Sequence, residues 1–334
     1  MNQLKNRDYF FDNARALLIF LVVFGHLLQP YSGESRFLSS LYLTIYSFHM
    51  PGFLFISGYF AKKAGEGRYI EKVSKKLLIP YFIFFAFFSI YYFLTGKEDS
   101  VSMDPFDPVF ALWFLLTLFF FHVILVIVKE YKSYIVLPIA IIVSLFAGYS
   151  DDIDTYLSFS RTIMFFPIFY LGYLFKFEHT KLFRNKKFIP IALLVLAGFF
   201  TIYYLHPINS DWLLGDSPYI SLEGKQDLYS PVKRLILYFV ILITMFSFLI
   251  LVPKTKRFFT YIGKRTMYIY LLHGLVIGVL RGYKIYPFKD DISTLTYVYL
   301  VLVTTLIVFI LSTRFVTNWT NPIINLQSPS NFKG

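Results

Sequence analysis

Three side chains near the start of the chain are of types that do chemistry and are spaced to act together. Asp12, Arg15 and His26 fall in Phe11-Asp12-Asn13-Ala14-Arg15-Ala16 and the apolar run that continues to Gly25-His26. On a helix of about 3.6 residues per turn, the step from Arg15 to His26 is about three turns. Both side chains therefore point to nearly the same face, and Asp12, one turn before Arg15, shares it. An arginine suits an anionic phosphate, because its fork binds two oxygens at once. A histidine suits general-base work, since it titrates near neutrality and desolvation favours its neutral form. Asp12 is placed to hold Arg15 through a charged hydrogen bond. The bland alternative has Arg15 snorkelling to an interface and His26 bonding a neighbouring helix. As a pair, they favour chemistry.

A second stretch, Ser47-Phe48-His49-Met50-Pro51-Gly52-Phe53 followed by Ser57-Gly58-Tyr59, puts His49 at a depth similar to His26. Pro51 frees a carbonyl and Gly52 lacks a side chain, so the helix is expected to open there beside a cavity. Two histidines could begin a metal site, but no carboxylate or third histidine is placed to complete one, so no metal is expected. His49 reads instead as a second polar wall. Lys72, Lys75 and Lys76 precede Leu77-Leu78-Ile79-Pro80-Tyr81. The positive-inside rule explains most of that cluster, and its functional reading is a landing site for a polyanionic cofactor such as a nucleotide-bearing thioester. Trp113 is an interfacial anchor or a stacking face for a sugar ring. Arg161 pairs with Asp152 or Asp154, or else contacts a sugar or phosphate. His273, near the middle of its segment, is a functional suspect with an equal claim to a packing role. His122, His179 and His206 read as incidental. Walker, dinucleotide, zincin and serine-hydrolase motifs are absent from the sequence.

The elements that must carry these residues are membrane-length. Of 334 residues 57% are hydrophobic, 21% are aromatic and none is cysteine, which excludes an ordinary soluble domain, disulfides and thiolate metal sites. Ten segments are apolar and long enough for a bilayer, near 12–30, 39–61, 77–95, 109–128, 134–149, 159–176, 188–205, 233–252, 265–282 and 293–313. The net charge of +12 is not a nucleic-acid footprint, because the cations cluster on one side. Lysines and arginines follow the second, fourth, sixth and eighth segments, in 62–76, 129–132, 176–187 and 254–265. Acidic residues fill the alternate connections: Asp104 and Asp107, Asp151 to Asp154, and Asp211 to Asp227. The alternation places both termini in the cytoplasm. The fold class expected is an all-α integral membrane protein, a bundle of about ten transmembrane helices. Residues 1–334 are expected to form one such unit, with no soluble domain and no cleavable signal peptide. The connection 206–232, rich in Pro and Gly, reads as an ordered lid or irregular loop, and 327–334 is expected to fray.

Taken together, these stretches resemble the membrane acyltransferase-3 family, especially its fucose 4-O-acetylase-like branch. The resemblance is carried by Phe11-Asp12-Asn13-Ala14-Arg15 … Gly25-His26, by Ser47-Phe48-His49-Met50-Pro51 with Phe55-Ile56-Ser57-Gly58, and by Leu77-Leu78-Ile79-Pro80-Tyr81. Leu112-Trp113-Phe114-Leu115 and Ile262-Gly263-Lys264-Arg265-Thr266 … Leu272-His273 complete it. It covers essentially the whole chain. What it implies is transfer of an acyl group, usually acetyl, from cytoplasmic acyl-CoA to a hydroxyl of an envelope glycan or lipid-linked sugar in a bacterial cytoplasmic membrane. His26 would then be the catalytic centre, with Asp12 and His49 beside it, and Arg15 would engage the donor. Lys72, Lys75 and Lys76 stand where some relatives carry paired arginines, and Trp113, Arg161 and His273 would meet the acceptor. Other members fuse an esterase-like domain that this sequence lacks, so the reaction finishes in the membrane or with a separate partner. A branch linked to polysaccharide export keeps a transporter as the competing class. An exporter has no requirement for a basic residue at position 26.

Overall fold

The computed structural model describes residues 9–96 and 98–324; the stretch 327–334, expected to fray, lies outside the described residues. The described chain is helical and contains no strand. Its α-helices are α1 Phe10–Leu28, α2 Arg36–Tyr46, α3 His49–Phe60, α4 Tyr69–Leu94, α5 Trp113–Val128, α6 Ser133–Ala147, α7 Phe159–Leu174 and α8 Thr180–Arg184. They continue with α9 Ile189–Leu205, α10 Asp211–Leu214, α11 Tyr219–Glu223, α12 Ser230–Leu251, α13 Thr266–Gly282, α14 Thr294–Leu311 and α15 Arg314–Ile324.

All ten expected segments are helical, but they are not ten equal spans. Among the described residues, seven helical stretches are long and apolar enough to cross a membrane, built on α1, α4, α5, α7, α9, α12 and α14. Helices α6 and α13 are apolar but shorter. The expected span 39–61 is two helices, α2 and α3, because the backbone leaves the helical region at Phe48. This also corrects the position of the opening. Pro51 does not break a helix; it is the third residue of α3, where its missing N–H would have no intrahelical acceptor anyway. The break comes before His49 and makes that histidine the first residue of α3. At the other extreme α4 starts at Tyr69 rather than near 77. Its first turns are polar and held by an ion pair from Lys75 to Glu71 at 2.8 Å, a signal that hydropathy does not register.

Burial ranks the helices. The apolar window of α1 is 72% buried, whereas that of α9 is 11% buried, so α1 is the centre and α9 lies at the rim. Ile139, Phe146, Leu193, Leu194, Val301 and Phe309 of α6, α9 and α14 are exposed. In water such a surface would be a liability; in hydrocarbon it is the face that needs no partner. Helices α3 and α7 pack backbone to backbone through glycine. A Cβ at Gly58 would lie 1.9 Å from the Phe169 carbonyl oxygen, and one at Gly172 would lie 2.0 Å from that of Phe55. On the other side of α1, the Tyr91 hydroxyl donates to the Leu275 carbonyl at 2.8 Å and ties α4 to α13.

The connection between α9 and α12 is ordered. Helices α10 and α11 end at Gly215 and Gly224, both at positive φ. The Ser160 hydroxyl donates to the Gly215 carbonyl at 2.9 Å, and the Tyr219 amide donates to the Gly148 carbonyl at 2.7 Å.

Candidate active site

Helix α1 carries one side of the site as a stripe. Arg15, Ile19, Val22 and His26 follow one another at helical spacing, and all four line internal cavities. The lower end of the stripe is fixed by Asn13, which is fully buried. Its Nδ2 donates to the carbonyls of Pro253 and Thr255, each at 2.8 Å, and its Oδ1 accepts from the Thr260 hydroxyl at 2.6 Å. The neighbouring turn approaches so closely that a Cβ on Gly263 would lie 1.8 Å from the Asp12 carbonyl oxygen. With the backbone pinned, the Asp12 carboxylate accepts from Arg15 Nη2 at 2.6 Å. Asp12 is buried and the Arg15 side chain stays about a third exposed, so the guanidinium is aimed but still accessible.

Arg15 opens into a cavity of about 600 Å³. Its other polar walls include Ser57, Tyr69, Lys76, His122 and Lys264, with no carboxylate among the lining residues. His122 is therefore not incidental: its Nδ1 lies 2.6 Å from the Tyr69 hydroxyl, joining α5 to α4 across the cavity wall. Three cations line one space, and among the described residues only Arg15 of the three has a carboxylate partner, which describes a site for an anion. Lys72, Lys75 and Lys76 are all exposed, but only Lys76 lines the cavity, and Lys75 is paired with Glu71.

His26 opens into a second cavity, of about 260 Å³. Gly25 makes room for it, since a Cβ there would meet the Tyr46 ring at 2.8 Å. Tyr46 stacks on Tyr42 and meets the His49 ring edge-on at 4.5 Å. His49 is buried, and its Nδ1 lies 2.9 Å from the Ile45 carbonyl. A ring nitrogen facing a carbonyl donates to it, so in the neutral ring the lone pair falls on Nε2, where it can act as a base. His273 is locked in the same way, with Nδ1 2.6 Å from the Tyr270 carbonyl and 3.1 Å from that of Ile269. Its ring centroid is 5.3 Å from that of His26, and its Nε2 is buried with no hydrogen-bond partner. Trp113 and Arg161 form the opposite wall, with the guanidinium 4.6 Å from the indole centroid. Arg161 pairs with Asp216 and not with Asp152 or Asp154. The Asp154 carboxylate instead accepts from the Tyr156 amide at 2.8 Å, in its own turn. The Asp216 partner comes from the loop after α10, 55 residues away, which no local pattern reveals.

The two cavities share a wall. Val22, Met50 and Tyr270 line both, at the middle of the stripe between Arg15 and His26. The Tyr270 hydroxyl donates to the Ala111 carbonyl, which fixes the ring at that junction. An anion seated at the Arg15 end and a hydroxyl near the histidines would thus approach one another along a single helix face, about 16 Å long by helical rise. The structure brings Arg15, aimed by the buried Asp12, and Lys76 to one cavity and His26, His49, Trp113 and Arg161 to the other, with the His273 ring beside that of His26. Residues that sequence reasoning missed are Asn13, Tyr69, His122, Lys264, Tyr270 and Arg281. Of these, Asn13 and Lys264 fall inside stretches that carry the family resemblance, and the rest are found only through tertiary contacts. Among the described residues, no group of three or more His, Cys, Asp or Glu side chains gathers as a metal site.

Apolar helices with a lipid-compatible surface and a polar stripe facing internal cavities define a multi-pass membrane protein. The chain belongs to the acyltransferase-3 family, whose model, described as an acyltransferase domain, matches residues 8–314. It is similar to nodulation protein NolL of Mesorhizobium japonicum, 27% identical over 58% of this chain and 55% of the relative. It is also similar to nodulation protein NolL of Sinorhizobium fredii, 30% identical over 51% of this chain and 49% of the relative. The matches thus span about half the length of these curated relatives. No solved structure matches.

Proposed function

We propose that the protein is a membrane-bound O-acyltransferase that moves an acyl group, acetyl in the first instance, from cytoplasmic acyl-CoA to a hydroxyl of an envelope glycan or lipid-linked sugar. The observation that carries this reading is the junction of a cationic cavity with a histidine-bearing cavity on one face of α1. Family membership supports acyl transfer as the chemistry. The basic loops at the Arg15 end support a cytoplasmic orientation for that cavity, in a bacterial plasma membrane. There Arg15, Lys76 and Lys264 would receive the phosphates of the donor, with Lys72 and Lys75 on the exposed approach. The pantetheine arm would then run toward Val22, Met50 and Tyr270.

At the junction, His26 takes the proton of the acceptor hydroxyl as its oxygen attacks the thioester carbonyl. The C–S bond breaks, the ester C–O bond is kept, and the departing thiolate receives a proton from the imidazolium. His49, with a lone pair on Nε2 in the same cavity, orients the acceptor hydroxyl. His273 stands beside His26, and Trp113 and Arg161 hold the sugar. Asp12 keeps Arg15 in its binding rotamer.

The test uses inverted membrane vesicles, radiolabelled acetyl-CoA and native envelope glycans, with wild type and His26→Ala. Label is expected in glycan for wild type, with a loss of at least 100-fold in the variant, in the range of removing a general base. No label from either acetyl- or succinyl-CoA, together with loss of surface glycan on deletion of the protein, would replace this reading by the exporter.

A further inference from the structure

The histidine cavity contains two guanidinium groups, and among the described residues only one of them has a counter-ion. Arg161 is paired with Asp216. Arg281, from the last turn of α13, lines the same cavity, and among the described residues no carboxylate lies within ion-pair distance of it. Its Nη2 donates to Gln29 Oε1 at 2.6 Å and, at 3.4 Å, to the His26 carbonyl, both neutral acceptors. Its Nε is buried with no hydrogen-bond partner. None of the residues lining the cavity is Asp or Glu.

A guanidinium held in a half-buried wall without a counter-charge is costly, and the carbonyl end of α13 offsets only part of that cost. If Arg281 were only a brace between α13 and α1, a neutral donor facing Gln29 would serve. The Phe110 ring lies 5.8 Å from the guanidinium, and Tyr42 and Tyr46 line the same cavity, so aromatic side chains flank the cation. We infer that this cavity takes a sugar bearing an oxyanion, phosphoryl or carboxyl, which pairs with Arg281 while the ring lies among these aromatic side chains. The inference deepens the acyltransferase reading, on which it rests for calling that sugar the acceptor. The binding event itself does not require transfer.

The measurement is calorimetric binding of glucose 1-phosphate, glucuronate and glucose to the full-length protein in nanodiscs. At least one anion is expected to bind 10-fold or more tighter than glucose. The margin should vanish in Arg281→Gln and persist in Arg15→Gln, whose cation lies in the other cavity. Gln29→Glu covers the case in which Arg281→Gln does not fold. It places a carboxylate on the atom that Arg281 already contacts, so it should abolish the anion preference while raising thermal stability. A tighter fit of glucose 1-phosphate than of glucuronate assigns the oxyanion to a phosphoryl group, and the reverse assigns it to a uronic acid. Equal binding of all three sugars by wild type would overturn the inference, as would a preference that survives Gln29→Glu or disappears in Arg15→Gln. Anion preference without acyl transfer from any donor would sink the acyltransferase reading and leave this subsite standing.

Discussion

Arg15 is the residue whose role is most sharply separable from its neighbours. Its guanidinium is aimed by Asp12 at 2.6 Å yet remains accessible from the cationic cavity. Lysine at this position would keep the charge and lose the two-oxygen fork. Arg15→Lys is therefore expected to raise KM for the acyl donor about tenfold, with kcat changed much less, since one charge-assisted contact weakens and no proton carrier is touched. Steady-state kinetics on vesicles check this, and an unchanged KM with a lowered melting temperature would reduce Arg15 to a structural residue. The stripe from Arg15 to His26 was legible because helical spacing is written in a single element. His122 and Arg281 were not. Each acquires its meaning from a residue far along the chain, Tyr69 for one and Gln29 for the other. In sequence each is only a polar residue within an apolar run or at its end.

Elements reach the site through close backbone approaches that sequence shows only as scattered glycines. Gly172 has no space for a methyl group, because the atom it would meet is the Phe55 carbonyl oxygen of α3 rather than a movable side chain. Gly172→Ala should therefore destabilise by about 1–3 kcal/mol through overpacking of α3 against α7. Gly198, on the rim helix α9, has nothing within 4 Å of its would-be Cβ. Gly198→Ala should be neutral or stabilising by up to about 1 kcal/mol, as expected for relief of helix-interior glycine. Thermal unfolding in detergent compares the two, and equal shifts would refute the asymmetry between core and rim. Tertiary contacts also decide element boundaries that the sequence does not show. The apolar run from Leu38 to Phe60 is nearly continuous, so hydropathy reads one span and Pro51 draws attention to itself. The break occurs at Phe48, where Ser47 bonds Tyr203 of α9 at 2.7 Å, a tertiary contact with no local signature.

At the scale of the whole molecule, the proposed reaction requires the two cavities to open toward opposite sides of the membrane. The helical class and the membrane setting were plain from composition and segment length, whereas sidedness rests on where the cations lie between segments. The absence of cysteine makes this directly measurable, because any introduced thiol is the only one in the chain. Lys76→Cys, in the wall of the cationic cavity, should react with a membrane-impermeant maleimide in inverted vesicles and not in intact cells. Trp113→Cys, in the wall of the histidine cavity, should show the opposite pattern. Acyl-CoA should slow labelling at position 76, since the donor would occupy the cavity that this side chain lines. Labelling of both positions from one side would mean that donor and acceptor enter together. The shared wall of Val22, Met50 and Tyr270 would then be a partition within one vestibule rather than the meeting point of two entrances.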